Sequence, residues 1–351
     1  MLNSVFYTMG ARLICALLMC GLPVVHRAGR EAASPGPIET LRSVAALPPH
    51  LTGRFGEPAA FQQAPAGEYF VFDRRGHTVY AIDSEMTTAR PVVRIGFETG
   101  RLLQPFAFQL GEGEFAVADA PGRTERVQIF VASGSRIAGF SLPSRSESRV
   151  QLEGLVLNGV GSLAFTDART ILLNLPETGS LITEYDVRGR VVRSIGALRR
   201  TGHETDRELH LAMNAGLPLG IPGGGYYFVF QTGEPRFRRY DARGVLMYER
   251  AIQGRPLDDL VQSQPNAWPR RAGLAARDVP VVTPIVRTAA VDPRGQLWVG
   301  FTLPVLFVYD RDGEKVRTVE LRGAGLLRPT SLFFTGDGRL LVTPGCYIFR
   351  P

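Results

Sequence analysis

Short apolar runs alternate with turn residues along most of this 351-residue chain. The clearest example is residues 287–322, where four runs follow one another: 288–291, 296–301, 305–309 and 315–321. Residues 293–295 (Pro-Arg-Gly) and 310–313 (Asp-Arg-Asp-Gly) supply turns, since Asp bonds nearby backbone amides and Gly accepts positive φ. Runs of this length predict β-strands, and four antiparallel strands form one blade of a β-propeller.

The same pattern recurs six times along the chain. It can be aligned on the residue that closes each predicted third strand: Ile82, Phe130, Tyr185, Tyr240, Tyr309 and Phe349. These positions are roughly 40–70 residues apart, which is the size of a blade with variable insertions. The sequence therefore predicts an all-β fold, a six-bladed β-propeller of four-stranded antiparallel blades.

The sixth repeat ends at Pro351, before a fourth strand could form. We expect residues 40–47 (TLRSVAAL) to supply that strand and close the ring, because an unclosed stack would leave an exposed edge. In the second blade, residues 136–142 and 149–155 compete as the outer strand.

Acidic and glycine residues occur together in the predicted turns. Asp186, Asp241 and Asp310 each precede a glycine by three positions, so we interpret them as structural turn residues. The three glycines at 223–225 precede a predicted strand instead of a helix, which argues against a phosphate-binding loop.

Composition limits the partners. The 39 glycines and 25 prolines suit a turn-rich protein. The net charge of +7 comes from arginines that are scattered along the chain and cluster only as adjacent pairs, and Lys315 is the only lysine. This distribution does not form a basic groove, so no nucleic acid partner is predicted. We expect a monomer that binds an unidentified protein or small molecule.

The amino terminus resembles an export signal. Arg12 precedes an uncharged run, residues 13–25, that is too short to span a membrane comfortably. We predict a signal peptide over 1–28, a linker over 29–39, the propeller over 40–351, and an extracytoplasmic (periplasmic or secreted) location. Lipid anchoring at Cys20, an uncleaved anchor and no export are the alternatives, and only the two anchors would tie the chain to a membrane. Cys346 is then the one cysteine of the mature chain, and we expect it to be a small buried hydrophobe.

The segments VFDRRGHTVYAID and VADAPGRTERVQIF resemble blades of NHL-repeat six-bladed propellers. The resemblance covers roughly residues 55–351 and implies the propeller fold. That family includes binding modules, enzymes and scaffolds, so the resemblance does not choose a function.

The segments AVDPRGQLWVGF and LLRPTSLFFTGDGRLLVT are similar to blades of gluconolactonase-type propellers. That resemblance implies a divalent cation at the channel mouth, held by a Glu, two Asn-type ligands and an Asp. Glu57 matches the Glu and Asn158 matches an Asn approximately, but Arg287 and Thr288 stand where the Asp is expected. The full ligand set is not recovered, so we expect no cofactor unless this alternative holds.

Two long insertions, residues 197–216 and 255–285, link successive blades and should crowd the same end of the channel. Candidate ligand-binding residues on that face are His77, Asp119, Arg200, His203, His210 and Trp268. His203 and His210, with Glu204, could be metal ligands if both were helical, or could be chance histidines of a polar loop. Asp206 is the expected N-cap of a helix over 206–214. Trp268 is either a ligand platform or a staple that holds the insertion to the ring.

No Ser-His-Asp or Cys-His signature is recognisable in the chain. The sequence therefore predicts a secreted, non-catalytic binding or scaffold module that uses the face with the two long insertions. The alternative is a metal-dependent lactonase-like hydrolase with its site at the channel mouth.

Overall fold

The structure is a computed structural model that describes residues 37–122, 124–143, 149–152, 155–156, 163–166, 168–265, 267–272 and 278–351. The predicted signal peptide and all but the last three residues of the predicted linker lie outside these ranges. The described residues form six four-stranded antiparallel blades arranged as a six-bladed β-propeller, which confirms the predicted fold class.

The strands follow chain order within each blade. Two short strands come first: β1 (Glu39–Arg42) and β2 (Ala45–Ala46). Blade 1 contains β3 (Pro58–Gln63), β4 (Tyr69–Asp73), β5 (Thr78–Ile82) and β6 (Ala89–Val93). Blade 2 contains β7 (Ala107–Leu110), β8 (Glu114–Asp119), β9 (Arg126–Val131) and β10 (Arg136–Ser141).

After blade 2 come β11 (Arg149–Leu152) and β12 (Leu155–Val156). Blade 3 contains β13 (Leu163–Phe165), β14 (Ile171–Leu173), β15 (Ser180–Tyr185) and β16 (Val191–Ala197). Blade 4 contains β17 (Gly216–Gly220), β18 (Tyr226–Phe230), β19 (Arg236–Tyr240) and β20 (Leu246–Ala251).

After blade 4 come β21 (Arg270–Ala272) and β22 (Asp278–Val282). Blade 5 contains β23 (Val286–Val291), β24 (Leu297–Phe301), β25 (Leu306–Tyr309) and β26 (Lys315–Arg322). Blade 6 contains β27 (Ser331–Phe334), β28 (Leu340–Thr343) and β29 (Tyr347–Phe349). The helices are α1 (Pro49–Thr52), α2 (Arg207–Ala212), α3 (Arg255–Gln262) and one 3-10 turn (Pro176–Thr178).

Each blade buries both of its faces against its neighbours, which explains the nearly continuous apolar runs of the middle strands. In β4, Phe70 and Phe72 pack toward blade 2, whereas Tyr69 and Val71 pack toward blade 6. This follows from the two-residue period of a strand, which sends successive side chains to opposite faces. One such cluster lies at each of the six blade interfaces, including the interface between blades 6 and 1.

The amino-terminal segment closes the ring, as predicted for residues 40–47. β2 pairs antiparallel with β29 and becomes the outer strand of blade 6, with Ala45 opposite Ile348. β1 takes a second position that the sequence did not indicate, as a parallel fifth strand beside β26 of blade 5. Leu47 is buried and packs in the cluster between blades 6 and 1.

Predicted details of the repeat are also confirmed. Five of the six aligned anchors end their third strand, and Phe130 lies one residue before the end of β9. The outer strand of blade 2 is β10, while β11 pairs with β22 outside the blades. Cys346 is fully buried in blade 6, and burial raises the pKa of its thiol to about 12.

The Asp-x-x-Gly turns behave as expected. Asp186 accepts bonds from the amides of Arg188 and Arg190, both at 2.9 Å, and Gly189 has a φ of 83°. Asp241 and Asp310 accept equivalent bonds two and four residues ahead. These three carboxylates are therefore structural. Among the described residues, no helix is long and apolar enough to cross a membrane.

Candidate functional site

The two ends of the propeller differ in what they carry. One end, the link face, carries the links between blades and the loops between second and third strands. The other end, the turn face, carries the turns between first and second strands. Both long insertions are links between blades, so the topology places them on the link face.

The described parts of 197–216 and 255–285 contact each other and form one structure, here called the canopy. Trp268 packs with Leu209 and Val282, so the tryptophan holds the second insertion against α2. Arg270 forms an ion pair with Asp206. β22 also pairs in parallel with β11, which brings in the link between blades 2 and 3. The two insertions therefore meet, as their common face predicted. Trp268 packs on residues of the insertions, Leu209, Ala212 and Val282, and its predicted contact with the ring is not among these.

The first insertion is held to blade 4 by a half-buried arginine. The Arg199 guanidinium donates to the carbonyl oxygens of Met213 at 2.8 Å and Thr232 at 2.5 Å. It also lies 4.4 Å from the centre of the Phe230 ring. Burial lowers the pKa of Arg199 to about 10, which leaves it charged at neutral pH. The neighbouring Arg200, one of the predicted ligand-binding residues, is exposed instead.

The two histidines of the first insertion do not share a helix face. Asp206 caps α2 by accepting a bond from Leu209 N at 3.3 Å, as predicted, but the helix starts at Arg207 and leaves His203 outside it. His210 Nδ1 lies 2.8 Å from Thr201 Oγ1. Glu204 accepts bonds from the amides of Thr201 and Gly202. Its own backbone amide, followed by the amide of Thr201, lowers the pKa of its carboxyl. These groups serve the loop's own structure.

The candidates from blades 1 and 2 lie at or next to the loops between second and third strands: Asp119 ends β8, and His77 precedes β5. Asp119 is fully buried and accepts from Arg126 at 2.8 and 3.0 Å and from Leu103 N at 3.1 Å. The Asp119 carboxylate thus holds the link between blades 1 and 2 against blade 2. Asp73 does the same in blade 1, accepting from the amides of Gly56 and Glu57. His77 has a left-handed φ of 49°, and its buried Nδ1 has no hydrogen-bond partner among the described residues.

A cavity of about 440 Å³ opens at the link-face end of the channel. Every blade contributes the start of its first strand to this link-face cavity, from Pro58, Ala107, Leu163, Leu217, Arg287 and Ser331. Its polar lining is made of the side chains of Gln62, Gln109, Gln231, Thr288, Thr330 and Ser331. Its charged groups are Glu57, Arg74 and Arg287, and Glu57 is ion-paired with Arg74.

None of the six predicted site residues lines this cavity. The polar residues that do line it could have been found from one signal, namely a polar side chain within an otherwise apolar first strand. Gln62 in AAFQQ and Gln109 in FAFQL are such positions. They interact directly, since Gln62 Oε1 accepts from Leu110 N at 2.7 Å and Gln62 Nε2 lies 3.4 Å from Gln109 Oε1.

Two residues that the resemblance to gluconolactonase-type propellers involves also line this cavity. They are Glu57 and Arg287, which lie at or next to the starts of first strands. Arg287 therefore brings a cation where that chemistry requires an acid. Asn158 lies outside the described residues. Within the described part of the chain, no three His, Cys, Asp or Glu side chains are grouped so that they could hold a metal ion.

Comparison with known proteins supports the fold. No family model and no curated protein sequence matches the chain. A virginiamycin B lyase from Staphylococcus aureus is similar in structure, with 10% identity, a TM-score of 0.50, and 84% of this chain and 93% of that chain covered. A catalytically inactive form of that lyase with quinupristin gives 9% identity, a TM-score of 0.50 and 84% coverage of both chains. At these identities the similarity shows a β-propeller and does not transfer an activity.

Proposed function

We propose that this protein is a non-catalytic binding module that acts outside the cytoplasm and binds a polar ligand at the link-face cavity. The observation that carries the proposal is the lining of that cavity. Amide and hydroxyl side chains from several blades converge there with Arg287. Concave sites of roughly 300–1,000 Å³ with a few convergent polar groups are typical of small-molecule binding.

The lining of the cavity suits a polar ligand group. Arg74 is ion-paired with Glu57, and Arg287 is the third charged residue of the lining. Carboxamides and hydroxyls both donate and accept hydrogen bonds, which suits the hydroxyl, amide or carboxylate groups of a polar solute. The canopy beside the cavity is fixed by Trp268, Arg199 and the Arg270–Asp206 pair, so this face is preorganised.

Two further considerations support a binding role. The blade pattern resembles NHL repeats, a family that includes binding modules. The uncharged run at 13–25, with Arg12 before it, supports export.

The test is a ligand screen followed by matched variants. Thermal unfolding would be followed with monosaccharides, amino acids, dipeptides and dicarboxylates, because a ligand that binds only the folded state raises the melting temperature. Binding of any hit should weaken by about tenfold in Thr288→Val, which removes one hydroxyl at nearly constant shape, as expected for loss of a buried hydrogen bond.

The control is Glu112→Gln at the opposite end of the channel, which should leave the affinity unchanged. Failure of every compound to bind, or equal affinities in the wild type and Thr288→Val, would contradict the proposal. Hydrolysis of δ-gluconolactone that depends on an added divalent cation and is lost in Glu57→Gln would replace it with the lactonase-like alternative.

A further inference from the structure

A second cavity, of about 580 Å³, lies at the turn-face end of the channel. It is formed by the first turns of blades 1, 2, 3 and 6, with lining residues from 63–67, 110–114, 165–169 and 333–339. These are the opposite ends of the strands that begin at the link-face cavity. Gln62 and Gln109 line the first cavity while their neighbours Gln63 and Leu110 line the second, so the bonded glutamine pair lies where the two meet.

Part of the wall of this turn-face cavity is apolar. Leu110, Phe165 and Phe333 line it together with Ala64 and Pro65. The Phe165 ring packs directly over Gly111, where a Cβ would lie 3.3 Å from the ring. Both phenylalanines are half-buried, so each ring keeps apolar surface in contact with solvent that a ligand could cover.

The two arginines of the cavity are already neutralised by its own carboxylates. Arg339 Nε donates to Asp337 at 2.8 Å, and its other nitrogens donate to Gln63 at 2.8 Å and to the Tyr69 hydroxyl at 3.2 Å. Arg169 forms an ion pair with Glu114. Neither guanidinium is therefore available to an anionic ligand without breaking an existing pair.

Glu112 is the remaining charge. It is exposed at the tip of the turn between Gly111 and Gly113, and it has no ion-pair partner among the described residues. It follows Gly111, which carries the Phe165 contact, so a free carboxylate adjoins the aromatic wall. The lining holds three carboxylates and two guanidiniums, which gives it a net negative charge on a chain of net charge +7.

From this arrangement we infer that the turn-face cavity binds an amphipathic organic cation, an amine with an aromatic or alkyl body. The body packs between Phe165 and Phe333, and the ammonium group pairs with Glu112. An anionic analogue of the same shape is rejected, because it meets Glu112 and finds both arginines engaged. This site is separate from the polar link-face cavity.

The experiment compares three probes of nearly one shape at neutral pH: tyramine (cationic), tyrosol (neutral) and 4-hydroxyphenylacetate (anionic). Titrations followed by calorimetry and by NMR of the phenylalanine rings should show saturable binding of tyramine. Tyrosol should bind more weakly, and 4-hydroxyphenylacetate should not saturate. Tyramine binding should weaken as salt concentration rises, because the carboxylate is exposed.

Glu112→Gln should raise the tyramine Kd by about threefold or more, as expected for an exposed ion pair. Glu85→Gln, at another exposed turn, is the matched control and should leave the Kd unchanged. Phe165→Leu keeps an apolar side chain at this half-buried position while removing the ring, and should weaken tyramine and tyrosol alike. Thr288→Val in the link-face cavity should have no effect, so failure of the proposed function would not be mistaken for failure of this inference.

Equal affinity for the cation and the anion would overturn the inference. So would a Kd for tyramine that is the same in Glu112→Gln and the wild type, or the absence of saturable tyramine binding.

Discussion

The guanidinium of Arg270 forms an ion pair with the carboxylate of Asp206, across 64 residues of sequence. The pair joins the two insertions at the amino-terminal end of α2, the helix on which Trp268 packs through Leu209. Both charged side chains are partly exposed, so the pair itself contributes only about 0–1 kcal/mol. The apolar contact of Trp268 is therefore the stronger tie between the insertions.

We predict that Trp268→Ala opens the canopy without unfolding the propeller. Loss of a partly buried indole should lower the local opening free energy by about 2 kcal/mol, which is roughly a 30-fold faster amide exchange. The effect should appear in β22 and α2 and be absent from β24, measured by hydrogen exchange. Gln262→Ala, at an exposed position of α3, is the control. Equal acceleration in β24 would show that the canopy is not a separate unit.

Adjacent arginines give a second prediction. Arg199→Met removes the donors to the carbonyl oxygens of Met213 and Thr232, and should lower the free energy of unfolding by about 2 kcal/mol. Arg200→Met should change it by less than about 0.5 kcal/mol, because that side chain is exposed. Urea denaturation measures both. Equal effects of the two substitutions would contradict the assignment of Arg199 as the residue that anchors the insertion to blade 4.

These two arginines also show which structural features a local sequence pattern can predict. The blades were predictable because alternation, turn chemistry and repeat length are local and occur six times. Which of Arg199 and Arg200 faces inward depends on Phe230 and on the carbonyl groups of blade 4, more than 30 residues away. No local pattern encodes that relationship.

For the candidate site, the sequence could predict which end of the propeller carries the two insertions. Topology alone places both insertions at one end of the ring, and they do meet there. The six candidate residues were predicted from the chemistry of loop side chains. In the structure Asp119 accepts from Arg126, and Trp268 packs on Leu209. The cavity is instead lined by polar residues on first strands, such as Gln62 and Thr288, which stand within otherwise apolar runs.

The turn carboxylates predict a pH dependence. The amide of Val245 is the main cause that lowers the pKa of Asp241, followed by the amide and guanidinium of Arg243. A carboxyl whose folded pKa is lowered stabilises the fold above its unfolded pKa of about 3.9 and loses that contribution as the pH falls through the folded pKa. The stability difference between wild type and Asp241→Asn should therefore be constant near neutrality. It should shrink below about pH 4 in urea denaturation experiments, and a difference independent of pH down to acid unfolding would contradict this.

Ring closure by the amino-terminal segment can be tested with two neighbouring apolar residues. Leu47 is 4% exposed and packs between blades 6 and 1, whereas Val44 is 56% exposed. Leu47→Ala should lower the free energy of unfolding by about 2–4 kcal/mol, because it leaves a cavity at the closing interface. Val44→Ala should change it by less than about 0.5 kcal/mol.

The comparison is controlled because both residues lie beside β2, and both backbone amides bond to blade 6. Val44 N donates to Ile348 O at 2.8 Å, and Leu47 N donates to Cys346 O at 3.1 Å. Alanine keeps both amides, so only the side chains are tested. Reaction of Cys346 with a thiol reagent, in a background lacking Cys15 and Cys20, gives a second measure. The thiol is buried in the same cluster as Leu47, so Leu47→Ala should speed its modification and Val44→Ala should not. Equal rates in the two variants would mean that residue 47 does not help to close the ring.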